Sequence, residues 1–375
     1  MKRVAFIGHR DLYFGAESVM LRVIRFAKER NLAEPIVILP KSKFNGFRLQ
    51  IEIDNIKEVK SFRYKLIGHS ALRCYLCILY NLYSAFQAYF YLKRKKTDII
   101  YTNTSVNIFG AMVAYLLRIP HFWHFHEQPS GGKFKWIPTA LFPLYRFFIN
   151  RKGTQIIFIS NTQKLLWEKE FNQSIPNSEV IYTPPVNLKA SEKSMEASDA
   201  LVFGFLGSFT ESKNILRLLT ATAQLKDEFP QQFNKLIIMG DGDFTEQVKA
   251  KITSLGLEST VDIWPHHEQV KPFYDAIDVF VLPSLFESWG LVALEAINEK
   301  KPVILTKNTG LTEILNHQED CIFIDPLEIS ELVFAMKTFL LDKPLRKIIA
   351  ENAYRKIISM QFKERFERSF IRLFS

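Results

Sequence analysis

The chain has 375 residues, of which 47% are hydrophobic and 23% charged, a composition typical of globular proteins that excludes a disordered or fibrous chain. At about 100–200 residues per domain, this length predicts two domains or one large one. Three cysteines cannot form a disulfide framework, so a cytoplasmic location is expected. The Cys74-x-x-Cys77 pair lacks the second ligand pair of a structural zinc site, so no metal is expected there.

The net charge of +10 is unevenly distributed along the chain. Residues 1–195 contain 29 Lys and Arg against 13 Asp and Glu, a balance of +16, and residues 196–375 contain 20 against 26, a balance of −6. Two halves of opposite charge predict two different partners. A basic half can face nucleic acid, an anionic membrane or phosphorylated substrates, or be a solvated surface without a partner. No nucleic-acid-binding motif accompanies the charge, so nucleic acid is not expected.

Short apolar runs alternate with amphipathic stretches of helical length. In the first half, the predicted strands are 4–7, 35–39, 98–101, 122–125, 156–159 and 180–182, and the predicted helices are 18–30, 71–95, 106–117 and 163–171. In the second half, the predicted strands are 201–206, 235–239, 261–263, 279–282, 302–306 and 321–324, and the predicted helices are 215–228, 245–255, 291–298 and 330–341. This alternation predicts an α/β protein with two doubly wound, Rossmann-like domains.

The polar, aperiodic segment 188–200 predicts a linker between an N-terminal domain over 1–187 and a C-terminal domain over 201–350. Residues 351–375 continue a basic amphipathic pattern that caps the second domain or crosses back to the first. In open parallel sheets, ligands bind beyond the carboxyl ends of the strands. Two such domains facing one another would form a cleft, so we expect the functional residues on the loops that follow strands.

The run from Cys74 to Leu92 has 19 uncharged residues and is followed by Lys93-Arg94-Lys95-Lys96. Its length alone is sufficient to span a bilayer. Because it contains Asn81, Ser84, Gln87 and five tyrosines, we expect instead a buried helix or one that lies on a membrane surface.

The most informative local motif is PSLFESWGLVALEA, which follows the strand predicted over 279–282. Gly290 allows a close backbone approach before a predicted helix, whose first N–H groups form an anion site suited to a diphosphate. Glu295 lies about one turn inside that helix, where its carboxylate can accept hydrogen bonds from sugar hydroxyls, and Glu287 lies on the preceding loop.

Glu287 and Glu295 match the E-x7-E signature of retaining glycosyltransferases with the GT-B fold, the group called family 4, and the sequence around them resembles that family. Residues 278–284 and 309–314 and a Gly-Asp-Gly turn extend the resemblance over most of 200–326. It implies a GT-B fold, with two Rossmann-like domains facing across a cleft. It also implies a metal-independent enzyme of the hexosyltransferase type, which transfers a sugar from a nucleotide-sugar to a hydroxyl with retention of configuration.

The segment FLGSFTESKN resembles the Gly-Arg-x4-Lys loop of the family. Lys213 stands where the family's lysine contacts the donor diphosphate, whereas Ser208 stands where the family usually has arginine. Serine can donate one hydrogen bond but supplies no charge. Lys213 and Glu287 are the implied catalytic residues of this half. The implied donor-binding residues are Gly15, Gly207, Ser208, Lys213, Gly290, Leu291, Val292 and Glu295.

The first half resembles the family more loosely. Gly15-Ala16-Glu17 is similar to the family's glycine turn near the donor phosphates, and His126-Glu127 matches a step whose histidine lines the reaction centre. His126 is therefore the third implied catalytic residue, although a structural histidine is an alternative interpretation. Asn103 and Glu127 are candidate acceptor-binding residues, and Asn103 fits a helix N-cap equally well.

Three histidines in the strand predicted over 122–125 and its flanks, His121, His124 and His126, offer a second interpretation. Ring nitrogens at i and i+2 share a strand face and can bind a metal ion. No carboxylate or cysteine at a suitable spacing supports such a site, so we expect no metal.

The implied acceptor is a cell-envelope glycan or a lipid-linked sugar. Cations mixed with aromatic residues, namely Lys93–Lys96 and Lys133, Lys135 and Trp136 near Phe134 and Phe142, suit the inner face of an anionic membrane. The expected location is therefore cytoplasmic and peripheral to the membrane. Two alternatives remain: a catalytically silent subunit that binds a nucleotide-sugar, and a nucleotide-sugar epimerase.

Overall fold

The computed structural model describes residues 1–13, 15–43, 45–65, 71–131, 134–135, 137–185, 200–267 and 269–375. The side chains of 71–75, 130–131 and 134–135 are not described. The chain divides into two compact units, one formed by Met1–Thr183 with Lys363–Ser375 and the other by Pro184–Phe362. The predicted linker 188–200 lies outside the described residues except for Ala200. In the cluster of cations and aromatic residues predicted around Lys133, Lys135 and Trp136, Lys133 and Trp136 lie outside the described residues and the side chain of Lys135 is not described.

The first unit is built on a parallel sheet. Its strands are β1 (Lys2–Ile7), β2 (Ala33–Pro40), β3 (Glu58–Phe62), β4 (Ile99–Asn103), β5 (His121–Phe125), β6 (Ser130–Gly131), β7 (Phe134–Lys135), β8 (Thr154–Phe158) and β9 (Ser178–Val180). Strands β6 and β7 form a short antiparallel pair, and the other seven form a parallel sheet in the order β3-β2-β1-β4-β5-β8-β9. The sequence does not predict β3, because the edge segment EVKSF is charged and largely half-buried rather than apolar.

Helices cover both faces of this sheet. They are α1 (Gly15–Glu29), α2 (Gly46–Ile53), α3 (Ala71–Arg94), α4 (Ile108–Leu117), α5 (Phe142–Ile149) and α6 (Asn161–Phe171). One hydrophobic core includes residues of α3, α4, α5 and α6, and a second includes residues of α1, α2 and the C-terminal helix. The buried strands are apolar on both sides, as a parallel sheet between two helical layers requires.

The second unit repeats this architecture. Its strands are β10 (Leu201–Leu206), β11 (Phe233–Met239), β12 (Val261–Trp264), β13 (Val279–Leu282), β14 (Val303–Thr306) and β15 (Ile322–Ile324), paired in parallel in the order β12-β11-β10-β13-β14-β15. Its helices are α7 (Ile215–Glu228), α8 (Thr245–Ser254), α9 (Lys271–Ala276), α10 (Leu291–Asn298), α11 (Ile329–Leu341) and α12 (Lys343–Ser359). The prediction of two parallel-sheet, Rossmann-like domains is confirmed. The strand order reverses between β10 and β13, and ligands bind beside such a switch point.

The basic amphipathic pattern that includes residues 351–375 is divided between two helices. After α12, the chain turns through Gln361, whose φ of +48° lies in the left-handed region, and α13 (Phe362–Phe374) follows. From Lys363 onward, the chain belongs to the first unit. There Phe370 contacts the rings of Tyr101 and His124, so this helix closes one of the two cores of the first unit.

None of the helices formed by described residues combines the length and the apolar character needed to cross a lipid bilayer. The uncharged run predicted as a buried or surface helix forms most of α3. Cys77 is a half-buried free thiol on this helix, whereas the side chain of Cys74 is not described.

Candidate active site

In the second unit, the loops after β10, β13 and β14 are joined by backbone hydrogen bonds. Leu285 N–H donates to Ser212 O at 2.8 Å, and Glu287 N–H donates to Asn308 O at 3.0 Å. Gly310 N–H in turn donates to Glu287 O at 3.1 Å. The backbone of Glu287 is therefore held on both sides at the carboxyl edge of the sheet, where the sequence predicts a site.

Two of the predicted catalytic side chains form an ion pair. Lys213 Nζ lies 2.5 Å from Glu287 Oε2, and the two side chains are only 22% and 14% exposed. The attraction between such charges is stronger here than on an open surface, because less water surrounds them. An ammonium group has three N–H donors and this contact uses one of them. Lys213 is thus held at the edge of the sheet in a geometry that still suits an anionic ligand.

The Gly-Asp-Gly turn supports the loop that contains Ser208. Gly240 has a φ of +146°, and a Cβ atom at this position would lie 2.0 Å from Gly207 O, so only glycine fits. Phe209 N–H donates to Asp241 O at 2.7 Å and ties the two turns together. Ser208 lies half-buried on this loop, at the same sheet edge as the ion pair.

Helix α10 begins after Gly290, whose φ of +92° is in the left-handed region. Its first N–H groups have no partner within the helix, as at any helix start, and carry the positive end of its dipole. Glu295 lies one turn further, with Oε2 3.1 Å from the hydroxyl of buried Tyr274. The same hydroxyl lies 2.9 Å from Val292 O, so its one proton can be donated to either acceptor. Burial, followed by the charge of Glu295, raises the pKa of Tyr274 well above its usual value and keeps it protonated.

Sequence reasoning missed Tyr274 as a partner of this site. It lies in the six-residue helix α9, which no periodic pattern marks, and it is separated from Glu295 by 21 positions. The only signal in the sequence was a tyrosine shortly before β13, the strand that leads to the PSLFESWGLVALEA motif.

In the first unit, predicted residues meet at the carboxyl ends of β4 and β5. His126 Nε2 lies 2.8 Å from Asn103 Oδ1, and Asn103 Nδ2 donates to Ala16 O at 3.1 Å, just inside α1. The cap of α4 is Asn107, so the N-cap interpretation of Asn103 is wrong. Asn103 is fully buried and instead joins the start of α1 to the loop that begins after β5.

Glu127 stabilises the turn that follows β4. Its Oε2 accepts from Ser105 N–H at 3.0 Å and from Ser105 Oγ at 2.9 Å, and its backbone carbonyl accepts from the indole of Trp167. Burial raises the pKa of Glu127, whereas the hydrogen bonds from Ser105 oppose that change. The carboxylate thus fixes the turn after β4 against the turn after β5.

Two residues that sequence reasoning did not single out, His9 and Arg10, also lie here, directly after β1. His9 Nδ1 lies 3.0 Å and Arg10 Nε 3.1 Å from Oε1 of Glu17, whose side chain is fully buried. Burial, followed by the charge of nearby Arg10, lowers the pKa of His9 well below its usual value. Their position two or three residues after a strand end was the signal that could have identified them.

The structure separates His121 from the other two histidines for which metal binding was considered, His124 and His126. His121 Nε2 is paired with Thr102 Oγ1 at 2.8 Å, whereas His124 Nδ1 is paired with the hydroxyl of Tyr101. Alternation along β5 turns His121 and His124 to opposite faces of the sheet. The rings of His124 and His126 lie 4.1 Å apart. Within the described part of the chain, no group of three or more His, Cys, Asp or Glu is placed to hold a metal ion.

Buried histidines make the first unit sensitive to acid. Burial lowers the pKa of both His121 and His126 from 6.5 to about 3, so both are neutral in the folded protein at neutral pH. The unfolded chain binds protons at these sites below pH 6.5, whereas the folded chain does so only near pH 3. The free energy of unfolding is therefore expected to fall as pH drops from about 6.5 to about 5, by about 1–2 kcal/mol for each histidine.

Thermal unfolding across this range measures the effect. The window lies above the range in which most carboxylates titrate. His121→Asn is expected to weaken the pH dependence, whereas the same change at exposed His267 leaves it unaltered. A midpoint that stays constant down to pH 5 contradicts the prediction.

Comparison with known proteins adds the enzyme class. Residues 187–356 match the family described as glycosyl transferases group 1. The chain is 25% identical over 281 residues to an uncharacterized glycosyltransferase of Methanocaldococcus jannaschii, covering 70% of this chain and 71% of that protein. It is 24% identical over 306 residues to the UDP-Gal:alpha-D-GlcNAc-diphosphoundecaprenol alpha-1,3-galactosyltransferase of Escherichia coli, covering 76% of each. The prediction that the protein is a glycosyltransferase is confirmed.

The fold is similar to that of a solved structure, HepE of Anabaena in complex with UDP and glucose. The TM-score is 0.80 with 21% identity, and the similarity covers all of both chains. At this identity the similarity concerns the fold, and it confirms the predicted GT-B class.

Proposed function

We propose that this glycosyltransferase moves a sugar from a nucleotide-sugar, with retention of configuration, to a hydroxyl of a cell-envelope glycan or lipid-linked acceptor. The observation that carries the proposal is the Lys213–Glu287 ion pair beside the start of α10. A positive charge, a helix dipole and a carboxylate at one sheet edge are what a donor with a diphosphate and a sugar requires. We expect no metal ion to take part.

In this proposal the second unit binds the donor. Lys213 and the first N–H groups of α10, those of Leu291 and Val292, neutralise the diphosphate as it leaves. Glu287 binds hydroxyls of the donor sugar, and Glu295 binds those of the ribose. The loop of Gly207 and Ser208 approaches the diphosphate, and Gly290 permits its close contact with the helix start.

The first unit is proposed to bind the acceptor. His126 is neutral and only partly buried, so its ring can exchange hydrogen bonds with sugar hydroxyls without bringing a charge. Asn103 and Glu127 form hydrogen bonds with residues of the turns after β4 and β5. We propose that they act by holding His126 and the acceptor loops in place. Gly15, at the start of α1, allows the backbone to approach the donor phosphates.

The acceptor class follows from charge and from a relative. The E. coli relative acts on a sugar linked to diphosphoundecaprenol, as its name states. Residues 1–195 carry a balance of +16, which suits an anionic membrane or a phosphorylated acceptor. We therefore propose a cytoplasmic enzyme that works peripherally at a membrane surface.

A thermal-shift panel tests donor binding. We expect one of UDP-, GDP-, ADP- and dTDP-sugars to raise the unfolding midpoint of the purified protein, because a ligand bound only to the folded state stabilises it. At about one hundred times its Kd, such a ligand adds about 2.7 kcal/mol. Failure of every donor at millimolar concentration, in a sample that unfolds cooperatively, contradicts the proposal.

Ser208 favours one alternative function. Because it supplies no charge where the family usually has arginine, the protein is a candidate for a silent subunit that binds a nucleotide-sugar without transferring it. Product analysis with the responding donor separates the possibilities. Transfer to an acceptor supports the proposal, interconversion of donors indicates an epimerase, and binding without products indicates the silent subunit.

A further inference from the structure

Helix α3 directs large apolar side chains away from the protein. Six of its residues are between 39% and 66% exposed: Leu76, Leu79, Leu82, Tyr83, Phe86 and Phe90. Its fully buried residues are mostly small or polar: Asn81, Ser84, Ala85, Ala88 and Leu92. An ordinary surface helix has the opposite arrangement, with its large apolar residues toward the core.

Hydrogen bonds fix this orientation. Asn81 Oδ1 accepts from Lys65 N–H, and Asn81 Nδ2 donates to Lys65 O, both at 2.8 Å. Ser84 Oγ donates to Arg63 O. A rotation that buried the apolar side chains would leave these polar groups without partners, at a cost that keeps the helix as it is.

The six exposed residues form one continuous surface, which we call the α3 apolar face. At 100° per residue they occupy an arc of about 120°, and from Leu76 to Phe90 they extend about 21 Å along the helix. No charged residue occurs between Cys74 and Leu92. A continuous exposed apolar surface of this kind marks an interaction site.

Cations and tyrosines border this face on both sides. Lys65 Nζ lies 5.3 Å from the ring centre of Tyr80, and Lys93 Nζ lies 5.3 Å from that of Tyr89. Helical geometry places Tyr80 and Tyr89 on opposite edges of the apolar arc. Exposed Arg94 and Lys96 add positive charge at the end of the helix.

We propose that the α3 apolar face lies in the interfacial layer of an anionic lipid bilayer, with the helix parallel to the membrane. Apolar side chains then enter the acyl boundary, tyrosines lie at headgroup depth, and the bordering lysines contact anionic phosphates. A second copy of the chain fits this face less well, since it would bring the same cations together. This inference goes beyond sugar transfer, because it specifies the surface that holds the enzyme at its membrane.

Vesicle flotation of the full chain tests the proposal. We expect the protein to float with vesicles of phosphatidylcholine and phosphatidylglycerol and much less with phosphatidylcholine alone. The double variant Leu79→Glu/Phe86→Glu should reduce partitioning by about tenfold or more, because charge replaces apolar side chains in the interface. The matched control is Phe334→Glu/Leu341→Glu on α11, where the native side chains are 66% and 56% exposed, and it should float like the wild type.

Three results overturn the proposal: absence of wild-type flotation, equal loss in both double variants, or self-association without lipid that Phe86→Glu abolishes. Because the changed residues are exposed, unchanged unfolding midpoints are expected and are measured alongside. The donor thermal shift is measured on the same samples. A protein that floats but binds no donor contradicts the proposed sugar transfer and leaves this inference intact. One that binds a donor but does not float contradicts this inference and the proposed location at a membrane, and leaves the proposed sugar transfer intact.

Discussion

Lys213→Ala is expected to lower the rate of sugar transfer by about 10²–10³-fold, while the affinity for the nucleotide-sugar changes less. A charge that stabilises a leaving diphosphate acts mainly as negative charge develops on it, so its loss affects kcat more than KM. Ser208 makes this effect larger, since the usual arginine is not there to share the role. Initial-rate kinetics with the donor identified by thermal shift provide the measurement.

Two controls separate catalysis from stability. Lys213→Ala leaves Glu287 without its ion-pair partner, so Lys213→Met, which preserves most of the side-chain volume, is measured together with the unfolding midpoint. Lys235→Ala is the matched control, because Lys235 and Asp262 form an ion pair at 2.8 Å in the same unit but away from the predicted site. If Lys213→Ala and Lys235→Ala have equal kcat, the diphosphate role of Lys213 is wrong.

The sequence predicts the sheets well because buried parallel strands are continuous apolar runs. Helices 215–228 and 291–298 have the predicted bounds, since each is amphipathic or apolar and follows a clear strand and loop. The edge strand β3 and the short helices α2, α5 and α9 are missed, because half-buried or short elements have no strong pattern. Local sequence thus determines the central strands of each sheet.

The contacts that build the candidate site are less predictable. Lys213 and Glu287 are 74 positions apart, and only the crossover from β10 to β13 brings them together. Helix α3 illustrates the same limit, since its long segment from Cys74 to Leu92 is uncharged on all sides. Its orientation depends on Asn81 and Ser84, which bond to a segment outside the helix.

Glu295→Ala is expected to weaken nucleotide-sugar binding by about tenfold to one hundredfold, since a hydrogen bond to a charged group contributes about 1.5–3 kcal/mol. The thermal shift produced by the donor should shrink accordingly. Tyr274→Phe should produce a smaller loss, because the tyrosine hydroxyl only positions the carboxylate from 3.1 Å. Isothermal titration with the donor and with the free nucleotide measures both effects.

A graded result distinguishes ribose binding from a structural role of Glu295. If the carboxylate binds the ribose, Glu295→Ala weakens the free nucleoside diphosphate and the nucleotide-sugar by similar factors, because both contain the ribose. Glu351→Ala is the control, since that half-buried carboxylate on α12 pairs with Arg355 at 2.9 Å outside the predicted site. Loss of nucleotide-sugar affinity with full retention of nucleotide affinity would assign Glu295 to the donor sugar instead. Unchanged affinity for both ligands would remove it from the donor site, leaving Lys213 and the start of α10 as the elements that bind the donor.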